Sequence, residues 1–308
     1  MINRVLIRIK AVQMIYAFYQ GGNRDLAKAE KEFFYSLEKS YELYHYLLQL
    51  ILAVTVYAGQ RIDAASNKYL PSEEEKNPNR RFVDNAFAAQ LADNNSLNHY
   101  INNSGISWGN QEAFVKSIYE IIVAEDFYHD YMDEPESTYE ADKEIWRKIF
   151  KRIILRSETL IDVLEEQSIY WNDDIDIVVT FVIKSIKRFS FENGADQELL
   201  PMFKDETDHQ FASDLFRGTI LHEEQYRALI DDAIKNWELD RLALMDLLIL
   251  QVALAEIVEI KDIPVNVTLN EYIDIAKVYS TQKSSTFVNG ILDQVVTVLR
   301  AQNKLFKA

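Results

Sequence analysis

Eight glycines and five prolines in 308 residues leave this chain short of the residues that turn a backbone sharply. That shortage constrains the fold more than any motif does, because a sheet of comparable size needs many turns, and turns draw on Gly for positive φ and on Pro for a fixed one. The alternative is long helices joined at few corners, and the apolar spacing agrees with it. Residues 3–20 place Val5, Ile9, Val12, Ile15, Tyr16 and Tyr19 on one broad face with Arg4, Arg8 and Lys10 beside it, and Gly21 and Gly22 stop the period. Further helical patterns are predicted at 25–69 with Asp25 as cap, in short pieces over 82–104, and at 110–131, 139–168, 173–191 and 207 to the end, with breaks near 261–264 and 280–284. Segments 71–81 and 133–138 read as charged loops, and 190–201 reads as a linker because Gly194 and Pro201 interrupt it. The predicted fold class is all-α.

Several function classes are excluded early. There is no cysteine, hence no disulfide, thiolate metal site or Cys nucleophile, which suits a reducing compartment. The opening MINRVLIRIK has its apolar positions broken by Arg4, Arg8 and Lys10, unlike a signal peptide. The two most apolar stretches, 47–58 and 239–260, are interrupted by Gln49 and by Asp240, Arg241, Asp246, Gln251 and Glu256, so both read as buried helices rather than membrane spans. The expected location is the cytoplasm, with no membrane partner. No phosphate-cradling glycine loop is present, HEEQY at 222–226 has Tyr226 where a zinc helix needs its second His, and DDID at 173–176 lacks the glycine and distal acid of a calcium loop. Glu42 with His45 and Asp126 with His129 give two i, i+3 pairs of the kind di-iron bundles use, but such pairs arise readily in an acidic helical chain, and no metal, cofactor or catalytic residue is assigned. YELYHY at 41–46 reads mainly as core. A faint echo between 44–70 and 211–237 raises the option of an internal duplication.

Net charge is −16, which taken whole opposes binding to a phosphate backbone. The distribution is uneven. Residues 1–20 carry three cations and no acid, whereas no Lys or Arg lies between Lys116 and Lys143 while Glu120, Glu125, Asp126, Asp130, Asp133, Glu134, Glu136, Glu140 and Asp142 do.

The most informative text is C-terminal. A mostly apolar helix at 236–257 reads as central, Pro264 starts a second, and the basic, hydroxyl-rich TQKSS leads to Phe287 at the start of a third. Backbone amides and hydroxyls at such a helix start can hold phosphate and a Phe can stack a base; equally, Ser284 can be a helix cap and Phe287 a core residue. The pattern W-x-L-D-R-L from Trp237, with Asp246, Glu256, I-P-V-x-V at 263–267, N-E-x-x-x-x-A-K at 270–277 and F-V-N-G-x-L-D at 287–293, resembles the NusB family of transcription antitermination factors, and D-L-F-R-G at 214–218 fits as well. At the other end, Ala11, Gln13, Ile15 and Tyr16 resemble the A-x-Q-x-L-Y of the family's first helix, which places 1–20 there.

The resemblance implies a NusB-like helical bundle with a large additional helical insertion: N-terminal helices over 1–69, an acidic insertion of unassigned role over 70–200, and a NusB-like domain over 205–308. It implies a non-enzyme that binds boxA-type RNA of ribosomal RNA leaders together with NusE, a ribosomal protein, and so supports rRNA transcription and ribosome assembly, with the transcribing RNA polymerase complex engaged indirectly. Carried over by position, the RNA surface would use Arg4, Arg8, Lys10, Gln13, Lys277, Tyr279, Gln282, Lys283 and Phe287, and NusE contact would involve Tyr16 and Asp246. A homodimer is an option that the resemblance leaves open. Departures are the spacing of Arg4 from Arg8 by Val5, Leu6 and Ile7, Leu247 and Gln251 where relatives often have basic residues, and a length more than twice that of typical members. Two alternatives follow: a protein-interaction scaffold that has lost RNA binding, and a di-iron helical-bundle enzyme. Fusion of this kind of domain to an RNA methyltransferase is opposed by the short stretch after Asp293 and the lack of a cofactor loop.

Overall fold

The structure is a computed structural model that describes residues 1–22, 24–234, 242–281, 283–305 and 307. Among them the chain is helical, with one isolated bridge between Ile2 and Phe203 and no strand. No helix of the described residues is long and apolar enough to cross a membrane. The helices are α1 (Arg4–Gln20), α2 (Leu26–Ser66), α3 (Glu73–Lys76), α4 (Ala86–Ala92), α5 (Asn95–Ser104), α6 (Glu112–Val123), α7 (Asp126–Asp133), α8 (Tyr139–Arg152), α9 (Glu158–Gln167), α10 (Ile175–Arg188), α11 (Glu206–Leu221), α12 (Glu223–Ala233), α13 (Leu244–Glu259), α14 (Val265–Tyr279) and α15 (Ser284–Ala301). They divide into two compact units. The inserted unit comprises Glu38–Met202 with Met1, and the terminal unit comprises Ile2–Leu37 with Phe203–Ala308. Helix α2 is continuous and contributes to both.

In the inserted unit, α10 buries Ile175, Val178, Val179, Val182, Ser185 and Ile186, the i, i+3, i+4 stripe of a helix with one face inward. Helix α8 answers with Ile145, Trp146, Ile149 and Phe150. Two charged groups drawn into this core, Asp142 and Lys143, are matched. Asp142 accepts from the Ala86 amide at the start of α4 and from the Tyr131 hydroxyl, both at 2.7 Å, so its charge faces a helix N-terminus. Lys143 donates to the Phe189 carbonyl at the end of α10, at 2.9 Å. Several boundaries differ from the periodicity. The 110–131 pattern splits into α6 and α7, where Asp126 starts a new first turn, and 139–168 breaks at Ile153–Ser157, where Ser157 caps α9 through the Leu160 amide. Buried Ile153 and Ile154 keep the apolar spacing running through that break, which hides it from the sequence. Within the predicted 71–81 loop, Ser72 and Glu75 form a reciprocal capping box around one turn, α3. The 190–201 segment is tied down: Gln90 donates to the carbonyls of Ser190 and Gly194, and Asn94 to that of Gln197. The echo between 44–70 and 211–237 has no structural counterpart among the described residues, since the first lies largely in one helix and 211–234 lies largely in α11 and α12.

In the terminal unit, α13 is buried on every side from Asp246 to Ile257, as its composition predicts, and α1, α11, α12, α14 and α15 pack around it. Phe33 stacks on Phe216 with ring centroids 4.6 Å apart, docking the start of α2 against α11.

The YELYHY run is core. Tyr44 and Tyr46 are fully buried, and Tyr46 stacks on Trp108 and Trp171. His45 is buried too, lies flat on Tyr100 with ring centroids 3.6 Å apart, and shares a 2.9 Å hydrogen bond with the Tyr41 carbonyl through Nδ1. A carbonyl only accepts, so Nδ1 carries the proton. Neither half of the di-iron pairing gathers: Glu42 pairs with Lys39, and no three His, Asp or Glu side chains among the described residues cluster as metal ligands.

Burial lowers the His45 pKa from an ordinary 6.5 to about 4. The unfolded chain therefore takes up this proton first, and stability is full above about pH 6.5 and lost as pH falls through about 4, by about 3 kcal/mol in all. Urea unfolding of the full chain between these pH values is expected to show that loss, with a shallower slope for His45→Phe. An unchanged slope would mean that the ring is not held neutral.

Candidate functional site

The predicted site residues that are described fall on α1, at the start of α13, at the end of α14 and at the start of α15, all within the terminal unit. Helix α1 starts at Asn3, whose side chain accepts from the Leu6 amide at 2.9 Å. Its Leu6, Ile7, Ala11, Val12 and Ile15 are buried, and it packs against α11 and α13. Contact on two sides leaves little solvated perimeter, and this decides the fate of its cations.

Arg8 is only 3% exposed. Its guanidinium donates to both carboxylate oxygens of Glu256, at 2.8 and 2.9 Å, and a third nitrogen lies 3.4 Å from Glu271. Glu256 is wholly buried and also accepts from the Thr268 and Tyr272 hydroxyls at 2.8 and 3.1 Å. Burial alone would lower the Arg8 pKa, but the hydrogen bond and charge of Glu256 outweigh it and raise the value. The Tyr272 hydroxyl is pushed well above its usual range by burial and then by Glu256. Arg8 is thus a fully paired core cation. Lys10 is also buried, at 2% exposure. Of the three N-terminal cations expected on a solvated face, two are withdrawn from it.

Arg4 pairs with Asp208 at 3.2 Å and lies 5.1 Å over the Phe211 ring, near Arg8. Gln13, nine residues on, is half a turn round the helix from Arg4. Its amide reaches the Tyr279 hydroxyl at 3.4 Å, joining α1 to the end of α14. Lys277 is exposed and pairs with Asp274 at 2.7 Å, and Tyr16 is exposed on α1. Lys283 and Phe287 meet Asp246 in one cleft of about 260 Å³, whose remaining lining is Leu242, Ala243, Thr281 and Ser284. There Asp246 accepts from the Ser284 hydroxyl at 2.9 Å, and Ser284 in turn accepts from the Thr281 amide at 3.2 Å. Gln282 and the Trp237–Arg241 part of the motif lie outside the described residues. The structure therefore brings together Gln13 with Tyr279, and Lys283 and Phe287 with Asp246, and it separates Arg4 and Arg8 from both groups.

The roles of Glu256, Thr268 and Tyr272 were not foreseen. One signal for them existed: Glu256 lies inside an apolar run, and a buried carboxylate there demands a cation.

The model of the NusB family matches residues 184–297. The transcription antitermination protein NusB of Geobacter sulfurreducens is 40% identical over 112 residues, 34% of this chain and 81% of that protein. The proteins of the same name from Salinibacter ruber and Geotalea daltonii are 37% and 35% identical over 108 and 133 residues, 35% and 43% of this chain and 68% and 89% of theirs. Among solved structures, T. maritima NusB aligns with 49% of this chain and 90% of its own at 24% identity and a TM-score of 0.30, a score at which the likeness adds nothing to the helices described above.

Removing one partner of a buried ion pair strands the other charge. Glu256→Gln is expected to cost about 3–5 kcal/mol, and pairing it with Arg8→Met to recover much of that. Equilibrium urea unfolding of both variants checks this; a loss below about 1 kcal/mol for Glu256→Gln would show that the pair is not buried as described.

Proposed function

The chain belongs to the NusB family of non-enzymatic transcription antitermination factors, and we propose that it binds boxA-type RNA of ribosomal RNA leaders together with NusE, in the cytoplasm, supporting rRNA transcription and ribosome assembly. The observation that carries this reading is the hydrogen bond between Gln13 and Tyr279, two candidate residues 266 positions apart. It makes the open side of α1 and the end of α14 one surface, from which Lys277 projects. The cleft of Lys283 and Phe287 supplies a cation and an aromatic face, the two groups with which proteins hold single-stranded RNA. Arg8 serves the core in this reading, buried Lys10 is not a phosphate contact, and Arg4 acts at most from the edge. Tyr16, which is exposed, and Asp246, which is mostly buried but lines the cleft with Lys283 and Phe287, are the proposed NusE contacts, and the RNA polymerase complex is engaged through that assembly. An acidic chain suits a basic ribosomal protein, because opposite fields speed encounter.

The burial of Arg8 and Lys10 favours one second reading, a scaffold that has kept its protein partner and lost RNA. Fluorescence anisotropy of a boxA leader RNA, with and without NusE, at about 50 and 200 mM salt separates the two. Binding is expected to be salt-sensitive and strengthened by NusE. Lys277→Glu with Lys283→Glu should weaken it about tenfold or more, roughly 1.4 kcal/mol, and flatten its salt dependence. Tyr16→Asp should remove only the gain from NusE. Absence of RNA binding in every combination, with NusE still bound, would establish the scaffold instead.

A further inference from the structure

The inserted unit contains a cavity that the RNA-binding reading leaves unused. It has a volume of about 480 Å³ and lies between α2, α5 and the segment that follows residue 196. His45 and Tyr41 line it from α2, Ser96, His99 and Tyr100 from α5, and Glu198, Leu199 and Pro201 from the third side. Every one of these residues belongs to the inserted unit.

The chemistry of this lining is one-sided. His45 is 98% buried, since only 2% of it is exposed, and its Nδ1 proton is committed to the Tyr41 carbonyl. Burial holds the ring neutral, so Nε2, which has no hydrogen bond among the described residues, can only accept. The Tyr41 hydroxyl donates to the Leu200 carbonyl at 3.0 Å, so towards any further group it too accepts. Glu198 is an exposed carboxylate at the mouth and Ser96 adds a hydroxyl, while His99 stands at the rim, engaged with Asn103. Glu38 and Glu42 lie close enough to Tyr100 to act on its hydroxyl. No Lys or Arg lines the cavity. Two cations stand nearby and both are engaged: Lys39 pairs with Glu42, and the Met1 ammonium, whose charge reaches His45, is held by the carbonyls of Pro201 and Met202. Aromatic rings, a buried acceptor and a carboxylate, without an opposing cation in the wall, match a donor-rich cation. Of the biological cations, the guanidinium fits best. It is planar, so it can lie against aromatic rings such as the stacked His45 and Tyr100, and it offers five N–H donors and no acceptor.

We propose that this cavity binds a guanidinium group, with His45 Nε2 and the Glu198 carboxylate accepting from it. Two sources share that chemistry, a free guanidino metabolite and an arginine side chain of a basic polypeptide. The full chain is titrated calorimetrically with agmatine, with N-acetyl-arginine amide and, as the uncharged isostere, with N-acetyl-citrulline amide. Both cations are expected to bind and citrulline amide not to. Preference for agmatine would mark a free metabolite as the source, and preference for the peptide mimic would mark an arginine of a partner. His45→Phe keeps the ring stack on Tyr100 and removes the acceptor, and Glu198→Gln leaves the fold untouched because the residue is exposed; each should weaken binding about tenfold. Circular dichroism of His45→Phe checks folding, and Glu198→Gln tests the site even if that variant fails. No heat with either cation, equal binding of citrulline amide, or unchanged affinity in Glu198→Gln would overturn the proposal. RNA and NusE are absent from this experiment, so its outcome is independent of the antitermination reading.

Discussion

The terminal unit is organised around the buried pair of Arg8 and Glu256. Two charges taken from water cost several kcal/mol each, and a single contact does not return that. What makes the pair tolerable is full satisfaction: the guanidinium meets both carboxylate oxygens, and the Thr268 and Tyr272 hydroxyls fill the remaining acceptor positions on Glu256. The arrangement is demanding in register. It requires α1, α13 and α14 together, so it cannot form unless the first helix of the chain docks among the last ones. Lys307 extends the same logic. It donates to the Glu256 and Ile260 carbonyls at the end of α13, at 2.9 and 2.8 Å, where unpaired carbonyls favour a cation, and burial lowers its pKa to about 8.

That closure explains how residues 38–202 can interrupt the chain. A large insertion is tolerated when its two ends meet in the host and it carries its own core. Both conditions hold. His209 stacks on Phe34, 4.6 Å between centroids, and meets Phe203 edge-on at 5.4 Å, so one ring of α11 bridges the point where the chain leaves the terminal unit and the point where it returns. The inserted unit, for its part, buries Trp146, Phe82, Phe87 and Phe150 and satisfies its interior Asp142 and Lys143 internally.

Helix content was legible because it is written in composition and spacing, and α1, α2, α10 and the central burial of α13 follow from those directly. Breaks inside continuous apolar patterns were not. Between α6 and α7, and between α8 and α9, no glycine or proline marks the corner, and the corner residues Ile153 and Ile154 are themselves buried. The site was legible in part. Motif text identified the end of α14 and the start of α15, where the Lys283, Phe287 and Asp246 cleft forms. Arg8 and Lys10 were misjudged because the apolar face was misplaced: of the residues assigned to it only Val12 and Ile15 are buried, and Leu6, Ile7, Ala11 and Phe18 turn inward with them. A helix packed against both α11 and α13 buries side chains that a one-sided helix would expose.

This redistribution bears on how so acidic a chain can act on RNA. Several cations of the terminal unit are engaged within it: Arg8 with Glu256, Arg4 with Asp208, Lys277 with Asp274 and Lys307 with backbone carbonyls. Exposed pairs such as Lys277 with Asp274 are worth little and exchange readily for phosphate, whereas Arg8 cannot exchange without dismantling the core. On the proposed reading, phosphate contact is therefore confined to a few surface lysines around a Gln13–Tyr279 seam, too few to overcome a net charge of −16 by counterion release alone. On that reading a basic ribosomal protein docked beside the seam would supply the missing positive field, and dependence on it would follow from where the arginines of α1 had to go.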